Sequence, residues 1–220
     1  TENKTGTTDT TATAIYADIE GFTADKSHKD TVASGNIAGD GSLVLKIYYT
    51  RNQYELTLTA GTGISAVTGA GTYYFEQEVS INATVKTGYA WNTWTVTTGK
   101  TPSSFTAKTQ KQTIVMGAGS VTLTASATAQ SVAYKVEHYL MDTTGAYPTV
   151  ATYTDNKTGT TDATVSATYY TYVGFSSATT ATGTKTSGTV AGDGSLVLKL
   201  YYSRNQYKLT LNSGTGISAV

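Results

Sequence analysis

The sequence predicts a mainly β protein built from tandem small β domains, with no long helices. Residues 2–67 recur as residues 155–220 at a constant offset of 153, with about 40 of 66 positions identical. Thr makes up roughly a fifth of the chain and there are 17 Tyr, and both residue types favour pleated, half-buried strands. Large apolar residues alternate with polar ones, and no window of ten or more residues carries a helical apolar stripe.

The gapless repeat divides the chain into two kinds of unit, which we name A and B. We predict an incomplete A unit at 1–51, a B unit at 52–130, a complete A unit at 131–204 and the start of another B unit at 205–220. The first of these lacks the opening hairpin of the complete A unit, so we expect its edge to be open. Such arrays usually span distance or present many copies of a surface.

The complete A unit begins with a strand in which Tyr134, Val136, His138 and Leu140 share one face. The predicted elements, in order, are strands at 134–140, 150–153 and 164–167, an extended piece from 174, and a strand at 196–202. A turn is predicted at 142–145 from its Asp, Thr and Gly residues. Another is predicted at 192–195, because the Asp-Gly pair there tolerates the positive φ of hairpin turns.

The B unit contains four clearly alternating segments and one less regular one. Strands are predicted at 54–58, 79–85, 91–96, 112–116 and 121–127, and glycines at 61–63 and 69–71 flank a loop. Trp91 and Trp94 are three residues apart, so we expect opposite faces of a strand, one in the core and one exposed.

The connections between units are short. Residues 50–53 join A to B and residues 128–131 join B to A, and neither connection contains Gly or Pro. We therefore expect a semi-rigid elongated rod, with units roughly 30 Å across and about 60 Å per A–B period. Residues 24–33 and 177–186 are predicted to form a loop or one short helical turn.

Composition excludes several function classes. Acidic and basic residues balance at 15 each, without the basic stripe of a nucleic-acid binder. There is no cysteine, which excludes thiolate catalysis, thiolate metal sites and disulfides. His28 and His138 belong to no catalytic or metal motif, and His138 is interpreted as a half-buried structural residue on a strand. We expect no enzyme activity, no catalytic or metal-binding residues and no cofactor.

Binding residues cannot be assigned from the pattern. Exposed Tyr and Trp faces can stack on sugars, but most tyrosines sit where an aromatic side chain covers a small core. These positions are Tyr16, Tyr48, Tyr49, Tyr169, Tyr201 and Tyr202. A spontaneous isopeptide bond from Lys46 or Lys199 to Asn52 or Asn205 is a further candidate feature. The simpler interpretation is that both lysines point outward, on the face opposite the leucines.

Both units resemble known repeats. The B unit resembles the divergent internalin B-repeat group (the Listeria–Bacteroides repeats) in 54–58, 71–74, 79–83, Gly88-Tyr89, Trp94, 114–116 and 121–125. The A unit is similar to mucin-binding-protein (MucBP) repeats in 134–139, Gly145, 157–159, Gly174-Phe175 and 196–202.

The resemblance implies compact β-grasp-like domains or small β-sandwiches from a bacterial cell-surface protein, outside the cell. The expected function is a structural or adhesive segment that forms a stalk or filament. The alternative is a multivalent array that binds glycans or mucins. Expected partners are neighbouring repeats of the same protein, identical subunits in a filament, or surface glycans. No nucleic acid and no membrane insertion of this segment are expected.

Overall fold

A computed structural model describes residues 1–212 and 214–216 of the chain. The predicted B-unit start at 205–220 therefore lies partly outside the described residues, and its described part contains no strand. The described residues form strands and loops without a helix, which confirms the mainly β class with several small sheets. Among them, no helix is long and apolar enough to cross a membrane.

The strands are short, with three to ten residues each. In chain order they are β1 (Thr11–Thr13), β2 (Phe22–Ala24), β3 (Ser34–Asn36), β4 (Tyr49–Arg51), β5 (Gln53–Ala60), β6 (Ile64–Thr68), β7 (Gly71–Tyr74), β8 (Glu78–Val85), β9 (Tyr89–Thr98), β10 (Gln112–Val115), β11 (Val121–Ala129), β12 (Ser131–Leu140), β13 (Tyr153–Thr160), β14 (Thr164–Ser166), β15 (Phe175–Ser177), β16 (Ser187–Thr189) and β17 (Val197–Arg204).

The chain divides into two compact units. Unit 1 comprises residues 1–85 and 91–128, and unit 2 comprises residues 86–90 and 129–220. The incomplete A unit and most of the B unit thus lie together in unit 1, so the boundary predicted after residue 51 falls inside a compact body.

Within unit 1, the B repeat has a three-stranded sheet of order β10-β8-β6 and a four-stranded sheet of order β7-β5-β11-β9. The pair β5–β11 is parallel and central in its sheet, and β5–β7 is antiparallel. Both sheets contribute fully buried side chains, among them Ile81, Ile114, Leu56, Leu123 and Trp94. Burying the inner faces of two sheets in this way gives the B repeat its core.

Thr occupies the outward positions of the alternating strands. In β11, Val121, Leu123 and Ala125 are buried, whereas the intervening Thr122 and Thr124 are partly exposed. A β-branched residue with a hydroxyl suits such a position, because it favours the strand and still hydrogen-bonds with water. Outward strand positions thus account for part of the high Thr content.

Unit 2 contains the complete A repeat. Its main sheet has the order β13-β12-β17-β15, with β12 antiparallel to β13 and parallel to β17. A second sheet pairs β14 with β16. The core side chains are Tyr134, Val136, Val190, Leu196, Leu198, Leu200 and Tyr202. Three of the seven come from β17 and two from β12, so the core depends on this parallel central pair.

The first A copy repeats the outer pairings of the second and not the central one. The pairings β1–β3 and β2–β4 have the same registers, shifted by 153 residues, as β14–β16 and β15–β17. In the second copy Leu198 and Leu200 are 0% exposed, whereas their counterparts Leu45 and Ile47 are only half-buried. Residues 1–7, which match most of β13 in sequence, are exposed and outside any strand.

Several predicted elements need correction. The loop predicted between the glycines at 61–63 and 69–71 is the strand β6, which escaped detection because it buries only Ile64 fully. The strand β7 that follows it was also not predicted. The strand predicted at 150–153 instead starts at Tyr153 and runs to Thr160. The turn at 192–195 is present, but it leads from β16 into another sheet and closes no hairpin.

The two tryptophans also differ from expectation. Trp94 is buried as predicted for one of the pair, whereas Trp91 is half-buried rather than exposed. Their ring centroids lie 5.8 Å apart in an edge-to-face contact, so the strand does not separate the two indoles.

The two A copies provide a matched pair of glycines for testing packing within unit 2. A Cβ at Gly192 would overlap the carbonyl of Thr87, whereas a Cβ at Gly39 would have Thr8 Cγ2 as its nearest neighbour at 3.7 Å. Gly192→Ala is expected to lower the free energy of unfolding of unit 2 by about 1–3 kcal/mol through overpacking. Gly39→Ala should change that of unit 1 by less than about 0.5 kcal/mol. Urea denaturation with hydrogen exchange resolved by unit measures both, and equal effects would contradict the packing argument.

Candidate functional site

The connection between the incomplete A unit and the B unit consists of one residue. β4 ends at Arg51 and β5 begins at Gln53, which leaves only Asn52 between them. The Asn52 amide donates to Gly21 O at 2.8 Å, and its carbonyl accepts from the Phe75 amide at 2.8 Å. Its side-chain oxygen accepts from Thr23 at 2.7 Å. Because both backbone groups and the side chain of Asn52 are hydrogen-bonded, this connection is held in one conformation.

Arg51 holds the two repeats together beside this residue. Its guanidinium donates to Phe75 O at 2.7 Å and to Glu76 Oε2 at 2.8 Å, and it lies 4.9 Å from the centroid of the Phe22 ring. The Phe22 and Phe75 rings meet edge to face at 5.9 Å. The arginine therefore binds an A-unit aromatic ring and a B-unit turn at once, which a planar, multi-donor cation does well.

Two backbone positions permit this close approach. Gly21 has φ +78°, and a Cβ there would overlap the Phe75 ring. Glu76 also has a left-handed φ of 64°, which is costly for a residue with a side chain. Its amide donates to Met116 O at 2.8 Å and its carboxylate binds Arg51, so the surrounding contacts hold the strained turn in place.

We call the contacts of Arg51 and Asn52 with both repeats the joint. The A-unit half of this joint recurs in unit 2. Arg204 lies 4.7 Å from the Phe175 ring centroid, and the Asn205 amide donates to Gly174 O at 2.8 Å. Ser176 Oγ donates to Asn205 Oδ1 at 2.7 Å, as Thr23 does to Asn52. A Cβ at Gly174 would meet nothing within 4 Å among the described residues. The A-side contacts of the first joint are thus repeated in the second.

A second cluster surrounds His138 in unit 2. His138 is 0% exposed, so it is more deeply buried than the half-buried strand residue expected. Its ring stacks on Tyr170 at 4.7 Å and lies 5.8 Å from the Tyr202 ring. Its Nε2 lies 3.5 Å from Asp155 Oδ2 without forming a good hydrogen bond.

Hydrogen-bond bookkeeping fixes the tautomer of this histidine. The Tyr202 hydroxyl oxygen accepts from the Tyr170 amide at 3.0 Å and lies 2.9 Å from His138 Nδ1. The buried phenol proton needs an acceptor, and Nδ1 is the one within reach. The neutral ring therefore carries its proton on Nε2, on the side of Asp155.

Burial keeps this imidazole neutral. Desolvation lowers the pKa of His138 below its ordinary 6.5, and the nearby Asp155 carboxylate opposes the shift only in part. The Tyr170 hydroxyl donates a short hydrogen bond to Asp155 and lowers the pKa of that carboxyl. Lys157 Nζ lies 3.6 Å from the same oxygen. Asp155 thus stays ionised near neutral pH beside a neutral ring.

These groups border a shallow cavity of about 180 Å³ between β12, β13 and the segment that follows β14. Tyr170 is 44% exposed and contributes an aromatic edge, and Lys157 contributes a cation. The first A copy has Ala17 at the position of Tyr170 and Glu2 at that of Asp155. The cluster therefore belongs to the second copy and is no general feature of A units.

The remaining candidate residues lie apart from both sites. His28 stacks on Tyr48 at 3.8 Å in unit 1. Lys199 lies 3.9 Å from Glu137 and above the Tyr139 ring, while Asn52 and Asn205 bond to the hydroxyl groups already described. The structure thus gives Lys199, Asn52 and Asn205 partners other than those of an isopeptide bond. Among the described residues, no group of three or more acidic or His side chains could hold a metal ion.

The tyrosines assigned to the core are indeed covered. Tyr202 is buried and the other five are half-buried, as expected of aromatic residues on a small core. Burial with a partner also acts on Tyr139, whose pKa is raised to about 12 by desolvation and by its hydrogen bond to Glu137.

Sequence reasoning missed both Arg51 and the Asp155–Tyr170 pair. The internal repeat carries a signal for the first, because Gly-Phe and Arg-Asn recur at 21–22, 51–52, 174–175 and 204–205. The second has no such signal, because its two residues are 15 apart and only one copy contains them.

Comparison with known proteins identifies one part of the chain. Residues 54–131 match the family described as the divergent InlB B-repeat domain, in agreement with the resemblance of the B unit. Repeats of this family occur in bacterial surface proteins, which points to a surface repeat protein in an extracellular location. A search of curated proteins found no match to the chain.

The arginine of the joint can be tested against its own repeat. Arg51→Ala is expected to lower the free energy of unfolding of unit 1 by about 1–2 kcal/mol, because the half-exposed guanidinium loses a carbonyl, a carboxylate and a ring. Arg204→Ala loses the Phe175 ring and one long hydrogen bond to Asp142 O, and it should lower the free energy of unfolding of unit 2 by less than about 1 kcal/mol. Hydrogen exchange at the Asn52 and Phe75 amides, with urea denaturation, measures the effect. Similar losses for both variants would show that the B-unit contacts contribute nothing.

The buried histidine predicts acid sensitivity of unit 2. In the unfolded chain His138 binds a proton near pH 6.5, whereas in the folded chain it does so only at lower pH. The free energy of unfolding of unit 2 is therefore unaffected by this group above pH 6.5 and decreases as the pH falls below 6.5. The slope is at most about 1.4 kcal/mol per pH unit.

Between pH 7.5 and 5, this pH dependence of the free energy of unfolding should disappear in His138→Gln. It should persist in the control variant His28→Gln, which retains the buried His138. Urea denaturation at several pH values, with NMR titration of both histidines, gives the measurement. A wild-type slope retained by His138→Gln would assign the acid sensitivity to other groups.

Proposed function

We propose that the chain is a structural segment of a bacterial surface protein, in which alternating A and B units form an extracellular stalk or filament. The observation that carries this proposal is the joint at Asn52 and Arg51. One fully bonded residue connects two repeats, and the A side of the same joint is built again 153 residues later. A stalk requires a connection of this kind, which fixes the orientation of one repeat relative to the next.

The match of residues 54–131 to a surface-protein repeat supports this proposal. We further propose that the A units are MucBP-type repeats and that the segment has an adhesive as well as a spacing role. Its partners would be neighbouring repeats of the same protein, and identical subunits where filaments form. We propose a structural rather than a catalytic role, because one face of the His138 ring stacks on Tyr170 and its Nδ1 is bonded to Tyr202.

A second candidate function, multivalent binding of glycans or mucins, is favoured by one observation. The cavity of about 180 Å³ beside Asp155 combines a carboxylate, a lysine and a partly exposed tyrosine face. Sugars are bound by this combination of polar groups and aromatic surface. Weak sites repeated along a chain would add up through avidity.

The stalk proposal predicts how length depends on the number of repeats. Recombinant chains with one, two and three copies of residues 52–204 should increase in maximum dimension linearly, by about 60 Å per copy. Small-angle scattering or negative-stain electron microscopy measures this dimension. The control carries Ala at every position equivalent to Arg51, which should broaden the distribution of lengths.

Growth of the dimension as the square root of repeat number would contradict the stalk, because flexible chains scale in that way. A glycan array provides the other decision. Binding that is lost in Tyr170→Ala and retained in Tyr207→Ala would favour the binding function.

A further inference from the structure

The B unit and the complete A unit each begin and end on adjacent strands that run parallel. In the B unit the first strand β5 pairs with the last strand β11, with Leu56 opposite Val121 and Ala60 opposite Ala125. In the complete A unit the first strand β12 pairs with the last strand β17, with Lys135 opposite Val197 and Leu140 opposite Tyr202.

Both parallel pairs lie at the centre of their sheets. β5 and β11 are flanked by β7 and β9, and β12 and β17 are flanked by β13 and β15. Their inward side chains are among the most buried of the chain: Leu56, Leu123, Leu198 and Leu200 are at most 1% exposed. Water therefore has little access to compete for the hydrogen bonds of these ladders.

This arrangement fixes the direction in which tension acts. The chain enters a repeat at the start of its first strand and leaves at the end of its last strand. For parallel neighbours these two points are at opposite ends of the ladder. A pull on the chain thus slides one strand along the other and stretches all ladder bonds together, whereas a pull at the same end of both strands would break them one after another.

We infer that the parallel pairs β5–β11 and β12–β17 are mechanical clamps, through which each repeat resists unfolding when the chain is under tension. The inference deepens the proposed stalk function and rests on it only for the source of the tension. Forced unfolding depends on the barrier along the pulling direction, so a clamp acts on the unfolding rate and need not raise equilibrium stability.

The incomplete A copy provides an internal contrast. Its last strand β4 pairs only with β2, antiparallel and over three residues, and no described residue pairs with it as β12 does with β17. It has none of the fully buried apolar side chains of the chain, which begin at Leu56. Residues 1–51 should therefore extend at low force.

The absence of cysteine allows the pulling direction to be chosen by two introduced thiols. Handles at Gln53→Cys and Ala129→Cys load the B-unit clamp in shear. Handles at Gln53→Cys and Gly117→Cys load the same pair from one end, and a Cβ at Gly117 meets nothing within 4 Å among the described residues. Force spectroscopy at one pulling speed should give an unfolding force at least threefold higher in shear. Equal forces, or a higher force from one end, would overturn the inference.

A second measurement leaves the clamps unsubstituted. Pulling the full chain through added terminal tags should give two high-force events, which release about 77 residues (Gln53–Ala129) and 74 residues (Ser131–Arg204) at about 3.6 Å each. A third high-force event from residues 1–51, or none at all, would contradict the clamps. Neither result depends on how length scales with repeat number, so failure of the clamp and failure of the stalk are distinguishable.

Discussion

The B unit and the complete A unit are each closed by pairing of the first strand with the last. In the complete A unit this pairing places β12 between β13 and β17 and buries Leu198 and Leu200 completely. The incomplete copy keeps the outer pairings in the same register and still leaves Leu45 and Ile47 half-buried. The two copies thus share their outer pairings and differ in how deeply these apolar residues are buried. The central strand β12, which pairs with β17 in the complete unit, supplies the tertiary contact that buries them.

The joint continues this logic from one repeat to the next. Arg51 closes the last strand of the A copy and at the same time holds the turn at Phe75 and Glu76. The positive φ of Glu76 would be unfavourable in an isolated hairpin, and here two bonds offset it. The backbone strain at Glu76 is therefore maintained by the contacts that fix the connection, and each repeat stabilises the other where they meet.

Much of the fold follows from alternation in the sequence. The strands β11, β12 and β17 were predictable because most residues at every second position in them are buried and apolar. Examples are Val121 and Leu123 in β11, Val136 in β12 and Leu198 in β17. β6 was not, because Ile64 alone carries its pattern. Parallel pairing of β5 with β11 could not be predicted either, because alternation shows which face is buried and contains no information about the partner. For the same reason the environment of His138 emerged only from the structure, since Tyr170 and Tyr202 come from distant segments.

The repetition of the joint has a consequence for how such a chain is assembled. Arg204, Phe175 and Asn205 have the same kind of contacts as their counterparts Arg51, Phe22 and Asn52. These contacts all lie between residues of the A unit and its connection. Side chains that their own repeat holds in place lose little entropy when a neighbouring repeat packs against them. A chain that emerges progressively from its N-terminus can then fold one repeat at a time, with every new repeat guided by the one before it.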